Sequence, residues 1–177
     1  MTDVLDRLAE LVREEGGLMA TLLDDRDAAA GPAVSSPALL AAEGPRTEGR
    51  REEYELLVEA IYEGYLLHYG YPRVVRPAED DLRLLAGDRM YAIGLTLLVS
   101  LGDTAAVAEL ADTITLSALA QGAGEKELAD AVWLAGARAV GWGSSAAHRR
   151  AKDLAFAGSP EAIEAMRTSA VGATSAP

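Results

Sequence analysis

The chain has 177 residues, a formal net charge of -12 and no cysteine. This length predicts one domain that is large enough to bury a hydrophobic core. A chain this acidic repels nucleic-acid phosphates and anionic membranes, so neither is expected as a partner. The lack of cysteine excludes disulfides, thiolate metal sites and a cysteine nucleophile. The N-terminus does not resemble a signal peptide, so we expect a cytoplasmic protein.

Alanine and leucine dominate the sequence and β-branched residues are sparse, which favours helix throughout. We therefore predict an all-α fold, a bundle of six to eight helices. Composition divides the chain into four regions. These are an N-terminal amphipathic helix over 1–24, a linker or mobile arm over 25–46, a helical domain over 47–170 and a frayed tail over 171–177.

Glycines and prolines mark the predicted helix boundaries inside the helical domain. Helices are predicted over about 48–69, 78–101, 104–121 and 125–140, followed by two shorter ones. The stretch from Met90 to Leu101 is apolar on all sides, so we expect it to be the most buried segment. The polar face of the 48–69 helix is expected to carry Glu55, Glu59 and Glu63. The inner face of the 104–121 helix is expected to carry Val107, Leu110, Ile114 and Ala118.

Four tyrosines lie on one face of the predicted 48–69 helix, within about 80° of arc. Tyrosine is favoured where one end of the side chain is apolar and the other is wet. This face therefore suits a subunit interface or the wall of an apolar cavity, with plain core packing as the alternative. The candidate interface or cavity residues are Tyr54, Leu57, Val58, Ile61, Tyr62, Tyr65 and Tyr69.

The stretch from Gly70 to Asp88 reads GYPRVVRPAEDDLRLLAGD. Its Gly-x-Pro opening, Gly70 to Pro72, and its Leu-Ala-Gly-Asp close, with Gly87 and Asp88, resemble the trans-polyprenyl diphosphate synthases. The resemblance covers about residues 47–120 and implies part of the isoprenoid synthase fold. A glycine in mid-helix costs about 1 kcal/mol relative to alanine, so we expect another helix to approach Gly87 closely. Asp88 needs a partner if it is buried.

The residues that perform catalysis in the resembled family have no counterpart here. Leu57 and Val58 stand where the family's magnesium-binding DDxxD motif begins, and His68 and Tyr69 replace its arginine pair. Nothing after residue 120 resembles the second Asp-rich motif. We therefore expect no catalytic residue, no metal site and no cofactor. The chain alone is not expected to condense isopentenyl and allylic diphosphates.

The remaining charged motifs have simpler explanations. Asp80 and Asp81 suit the positive end of a helix, and structural or solvated roles are expected for His68 and His148. The run from His148 to Lys152 is basic. It fits an acidic partner or a diphosphate, or else a solvated helical face.

The resemblance implies a non-catalytic partner or regulatory subunit of a prenyltransferase complex. In such complexes a small subunit without Asp-rich motifs binds a catalytic large subunit. The expected partner is that catalytic subunit or a second copy of the chain, with an apolar lipid as a further candidate ligand. Two alternatives remain, a helical module that binds isoprenoids or other lipids and a homo-oligomeric scaffold. No membrane span is expected, because the longest apolar run is too short.

Overall fold

The computed structural model describes residues 3–23 and 36–171, which are all-α and confirm the predicted fold class. The described residues contain no sheet, and Leu23 and Val75 form an isolated antiparallel bridge. Short helices α2 and α3 raise the helix count in this part of the chain above the predicted six to eight. The helices are α1 (Val4–Glu15), α2 (Gly17–Thr21), α3 (Pro37–Ala42), α4 (Arg51–Tyr69), α5 (Asp80–Leu101), α6 (Thr104–Gly122), α7 (Lys126–Trp142), α8 (Ala146–Phe156) and α9 (Ala162–Val171).

The chain divides into two compact units. Unit 1 comprises Met1–Leu39 and Arg51–Leu101, and unit 2 comprises Leu40–Arg50 and Gly102–Pro177. The segment Leu40–Arg50 therefore belongs to unit 2, although it interrupts the sequence of unit 1. The residues of the predicted 47–170 domain are shared between the two units.

Unit 1 is built on α4 and α5, with α1 packed on α4. The two long helices approach closely because glycines lie between them. A Cβ atom on Gly94 would lie 2.4 Å from Cγ1 of Ile61, and one on Gly87 would lie 3.2 Å from the carbonyl oxygen of Gly64. The close approach predicted at Gly87 is therefore confirmed. Leu8 and Val12 of α1 are fully buried in the core of this unit.

The prediction that Met90 to Leu101 is the most buried segment is wrong. Met90 and Leu98 are buried, but Val99 is 69% exposed. Helix α5 packs on α4 along one side, and apolarity on all sides does not show how many neighbours a helix has. The more completely buried helix is α7, in which 11 of 17 residues are buried.

Unit 2 contains α6 to α9, with α7 packed against α6 and α9. The predicted inner face of α6 is only partly right, since Leu110 is buried but Val107, Ile114 and Ala118 are half-buried. The buried stripe instead carries small and polar residues such as Thr113. A Cβ atom on Gly136 of α7 would lie 2.0 Å from Oγ1 of Thr113, so this glycine makes room for the polar side chain.

The predicted mobile arm lies partly outside the described residues, which leave out 24–35. From residue 36 onward the arm differs from the prediction, because Ala38, Ala41 and Gly44 are buried. Within unit 2, the N–H of Arg46 donates to the carbonyl oxygen of Gly141 at 2.9 Å. The described part of the arm is therefore packed. Of the predicted frayed tail, residues 172–177 lie outside the described residues.

Candidate functional site

The candidate residues of the tyrosine face lie on α4 as predicted, and most of them are buried. The rings of Tyr62 and Tyr65 stack with centroids 5.8 Å apart, and those of Tyr65 and Tyr69 lie 5.5 Å apart. Tyr69 is 43% exposed and Tyr62 is half-buried. The other members of the set are buried, namely Tyr54, Leu57, Val58, Ile61 and Tyr65. Solvent therefore reaches this face at Tyr62 and Tyr69.

The residues of the Gly70 to Asp88 stretch connect the end of α4 to α5. Nη2 of Arg83 donates to the carbonyl oxygen of Gly70 at 2.6 Å, and its Nε donates to that of Leu67 at 2.6 Å. Arg83 thus satisfies carbonyl groups that the end of a helix leaves without partners. Asp88 is exposed rather than buried, with Oδ1 3.2 Å from Nε2 of His68. Pro72 is half-buried in the turn that follows α4.

The assignment of Glu59 and Glu63 to a polar face of α4 is wrong, because both side chains are fully buried. They form a cluster with Arg73 from the loop that follows α4. Nη2 of Arg73 donates to Oε1 of Glu59, and its Nε donates to Oε2 of Glu63 at 3.2 Å. Oε1 of Glu63 accepts the N–H of Val74 at 2.7 Å. Oε2 of Glu59 accepts the hydroxyl of Ser36 at 2.8 Å.

Burial and charge act against each other in this cluster. Burial is the largest effect on Glu63 and raises its pKa, although the charge of Arg73 and two backbone N–H groups oppose it. Burial alone would lower the pKa of Arg73, but Glu59 and Glu63 outweigh it and the pKa is raised. The guanidinium also lies over the ring of Tyr62, 5.3 Å from its centroid. These contacts of Arg73 hold the loop that follows α4 against that helix.

A second polar cluster lies in unit 2, where α6 meets α8. Oε2 of Glu109 lies 3.0 Å from Nε2 of His148, and Nζ of Lys152 donates to Oε1 of Glu109 at 3.0 Å. Lys152 also donates to Asp112 at 2.8 Å. Burial alone would raise the pKa of Glu109, but hydrogen bonds from His148 and Lys152 outweigh it and lower the pKa to about 2. The basic run from His148 to Lys152 is therefore split. Its first and last residues face Glu109, and Arg149 and Arg150 are exposed.

The order Ser169, His148 and Glu109 superficially resembles a nucleophile, a base and an acid. Nδ1 of His148 lies 3.2 Å from Oγ of Ser169. That hydroxyl, however, donates to the carbonyl oxygen of Met166 at 3.0 Å. The hydroxyl therefore has an acceptor other than the imidazole, and its proton is not committed to His148. The contacts with Glu109 and Ser169 anchor a buried histidine.

The spacing of charged residues in the sequence could have indicated part of each of the two polar clusters. Glu59 and Glu63 lie four residues apart on a helix that has apolar residues on every side. His148 and Lys152 have the same spacing on α8. Pairs at this spacing share a helix face. The partners Arg73 and Glu109 are distant in sequence, however, and nothing local indicated them.

Helix α5 carries an exposed stripe that is mostly apolar. Its members are spaced three or four residues apart and fall within about 80° of arc. We call them the α5 stripe: Leu85, Asp88, Ala92, Thr96 and Val99, all exposed. Leu85 is 60% exposed and Val99 is 69% exposed. Helix α5 is long and apolar enough to cross a membrane, a property that it shares with core helices of soluble proteins. Helix α5 was expected to be covered on all sides, but it leaves apolar side chains exposed along one face.

Replacing Glu109 by Gln is expected to lower the free energy of unfolding by about 2 kcal/mol near neutral pH. A carboxyl with a pKa lowered from 4.5 to about 2 stabilises the fold above the unfolded value, and this is lost as the pH falls through that range. The shift corresponds to about 3 kcal/mol, which solvent screening reduces. Urea unfolding measures the change in the free energy of unfolding near neutral pH and again near pH 2. The exposed Glu161→Gln variant is the control. If Glu109→Gln lost the same stability at both pH values, the lowered pKa of Glu109 would not be the cause.

Comparison of the chain with protein families, with curated proteins and with solved structures found no match. The resemblance to the polyprenyl diphosphate synthases therefore stays a prediction. It depends on the motif from Gly70 to Asp88.

Proposed function

We propose that the chain is a non-catalytic, polyprenyl-synthase-like subunit that binds the catalytic subunit of a prenyltransferase complex through the α5 stripe. The observation that carries this proposal is the exposed apolar surface of α5. Leu85 and Val99 are each more than half exposed, and with Ala92 between them they offer apolar area that another helix can cover. The stripe begins at Leu85 and continues beyond the family-like motif.

The spacing of the stripe fits a helix as the occupant. Successive members are separated by three, four, four and three residues, which is the pattern of helix-to-helix packing. Ala92 at the middle leaves room for a close approach. The helices next to this motif build the subunit contact in the resembled family. A helix of a catalytic chain is therefore the partner that we infer.

Charge favours a different chain over a second copy. Each copy carries a formal net charge of -12, and a large net charge of one sign opposes self-association. The non-catalytic part of the proposal is supported by α4. Leu57 and Val58, which stand where the family has its first Asp-rich motif, are buried apolar residues.

Co-expression with each prenyl diphosphate synthase of the same genome tests the proposal. We expect one of them to co-purify with the wild-type chain. The double variant Leu85→Glu with Val99→Glu is expected to weaken that complex at least about tenfold, because it places charge in the interface. Leu119→Glu is the matched control, because Leu119 is 54% exposed on α6. Circular dichroism checks that each variant keeps its helices.

Three results would contradict the proposal. The first is that no synthase co-purifies, or that the double variant binds as well as the wild type. The second is self-association of the wild type that the double variant abolishes, which would assign the stripe to a second copy. The third is binding of the wild type to neutral phosphatidylcholine vesicles that the double variant loses, which would assign α5 to lipid.

A further inference from the structure

Unit 2 contains a cavity of about 310 Å³ between α7, α8 and α9. Its volume is at the small end of the range for ligand pockets. Arg138 and Trp142 of α7 line one side, and Thr168 and Ser169 of α9 line another. The ring of His148, which is buried and held by Glu109, lies at the wall. Most of the side chains that line the cavity are thus polar groups or alanines.

Arg138 is the unusual residue of this cavity. Its guanidinium lies over the indole of Trp142, 4.6 Å from the ring centroid, and the residue is half-buried. Within the described residues it makes no hydrogen bond and no ion pair. By contrast, Arg46 and Arg167 of the same unit each pair with a carboxylate. A guanidinium that keeps no carboxylate partner retains its hydrogen-bond donors for another group, so Arg138 is suited to receive an anion.

The residues that line the cavity also favour an anion as its ligand. Acidic residues outnumber basic ones by 28 to 16 in the whole chain, yet none of the described residues that line this cavity is acidic. The hydroxyl groups of Ser145 and Thr168 add further donors, while Ala135 and Ala139 make an apolar wall. Stacking on Trp142 uses the face of the guanidinium and leaves its edge free for hydrogen bonds.

We propose that this cavity binds a small organic anion. The carboxylate or phosphate oxygens of the ligand pair with the edge of the Arg138 guanidinium, which matches either group in a bidentate geometry. The apolar body of the ligand lies against Trp142 and the alanine wall. This site does not depend on the proposed partner, because no residue of the α5 stripe lines the cavity.

The test is a titration of the full chain with benzoate and, separately, with inorganic phosphate, each at millimolar concentration. The signals of the Trp142 indole N–H and the Arg138 Nε–H report binding in NMR spectra. We expect saturable shifts with at least one of the two anions and none with neutral benzamide. Saturation by benzoate alone assigns the site to a carboxylate on an apolar body, and saturation by phosphate assigns it to a phosphate group.

Two variants locate the site. Arg138→Gln is expected to weaken binding about tenfold or more, because it removes a charge-assisted hydrogen bond. Arg150→Gln, an exposed arginine of α8, is the matched control and is expected to bind as the wild type. Ala147→Leu, at an exposed helical position that lines the cavity, is expected to block binding by filling it. The proposal is overturned if neither anion saturates, if benzamide binds equally, or if both Arg138→Gln and Ala147→Leu bind as the wild type.

Discussion

Replacing Arg73 by methionine is expected to destabilise unit 1 by about 3–4 kcal/mol, the largest single effect that we predict. Removing one partner of a buried ion pair leaves uncompensated charge, which costs about 3–5 kcal/mol. Here two carboxylates lose their counter-charge, and both Glu59 and Glu63 are fully buried. The Arg73 side chain is itself 32% exposed, so water can replace part of the guanidinium. Hydrogen exchange of the α4 amides measures the loss within unit 1.

A rescue variant separates charge from packing at this cluster. Adding Glu59→Gln and Glu63→Gln to Arg73→Met removes the buried charge. An amide oxygen at position 63 can still accept the backbone N–H groups of residues 73 and 74, which donate to Glu63 in the wild type. We expect most of the lost stability to return, and the loss in the single variant to shrink at low pH, where the carboxylates are protonated. A loss that persists in the triple variant and at low pH would mean that Arg73 acts mainly through the contact of its guanidinium with the ring of Tyr62.

Replacing Gly94 by alanine is expected to destabilise unit 1 by about 3 kcal/mol, near the upper end for overpacking. The added Cβ would lie 2.4 Å from Cγ1 of Ile61 and 2.8 Å from the carbonyl oxygen of Leu57. The Ile61 side chain can turn away, but the carbonyl belongs to the backbone of α4. The two helices must therefore separate. Urea unfolding followed by circular dichroism measures the change.

The matched control is Gly122→Ala in α6. Nothing lies within 4 Å of a Cβ atom at Gly122, so the same substitution there adds helix propensity without a clash. We expect it to be neutral or to stabilise by up to about 1 kcal/mol. If Gly94→Ala were equally neutral, α4 and α5 would not be held at this separation.

Helix boundaries and the close approach at Gly87 could be predicted from the sequence because local chemistry determines them. Glycine at residue 70 and the turn at Gly102 stop the helices in any tertiary context. Gly87 indicated a close neighbour because a mid-helix glycine has a cost that only packing offsets. The neighbour proved to be α4, the helix that precedes it in sequence.

The partners of the helix faces could not be predicted, because they are set by residues far along the chain. Glu59 belongs on a wet face by its chemistry, and only the arrival of Arg73 and Ser36 makes its burial tolerable. Val99 belongs in a core by its chemistry, yet the described residues leave it exposed. In the 310 Å³ cavity, Arg138 and Thr168 are brought together by α7 and α9. No spacing in the sequence indicated this pair.

The placement of Leu40–Arg50 in unit 2 determines the order in which that unit can be completed. This segment leaves the ribosome before α4 and α5, but its partners in α7 are synthesised much later, since Nη1 of Arg46 donates to the carbonyl oxygen of Val140, 94 residues away. Unit 1 can form its core while Leu40–Arg50, which lies between its two parts in the sequence, is still without its partners. Closing a contact over such a separation is slow. The first segment of unit 2 is thus synthesised before unit 1 is complete, and unit 2 is finished only when α9 has emerged.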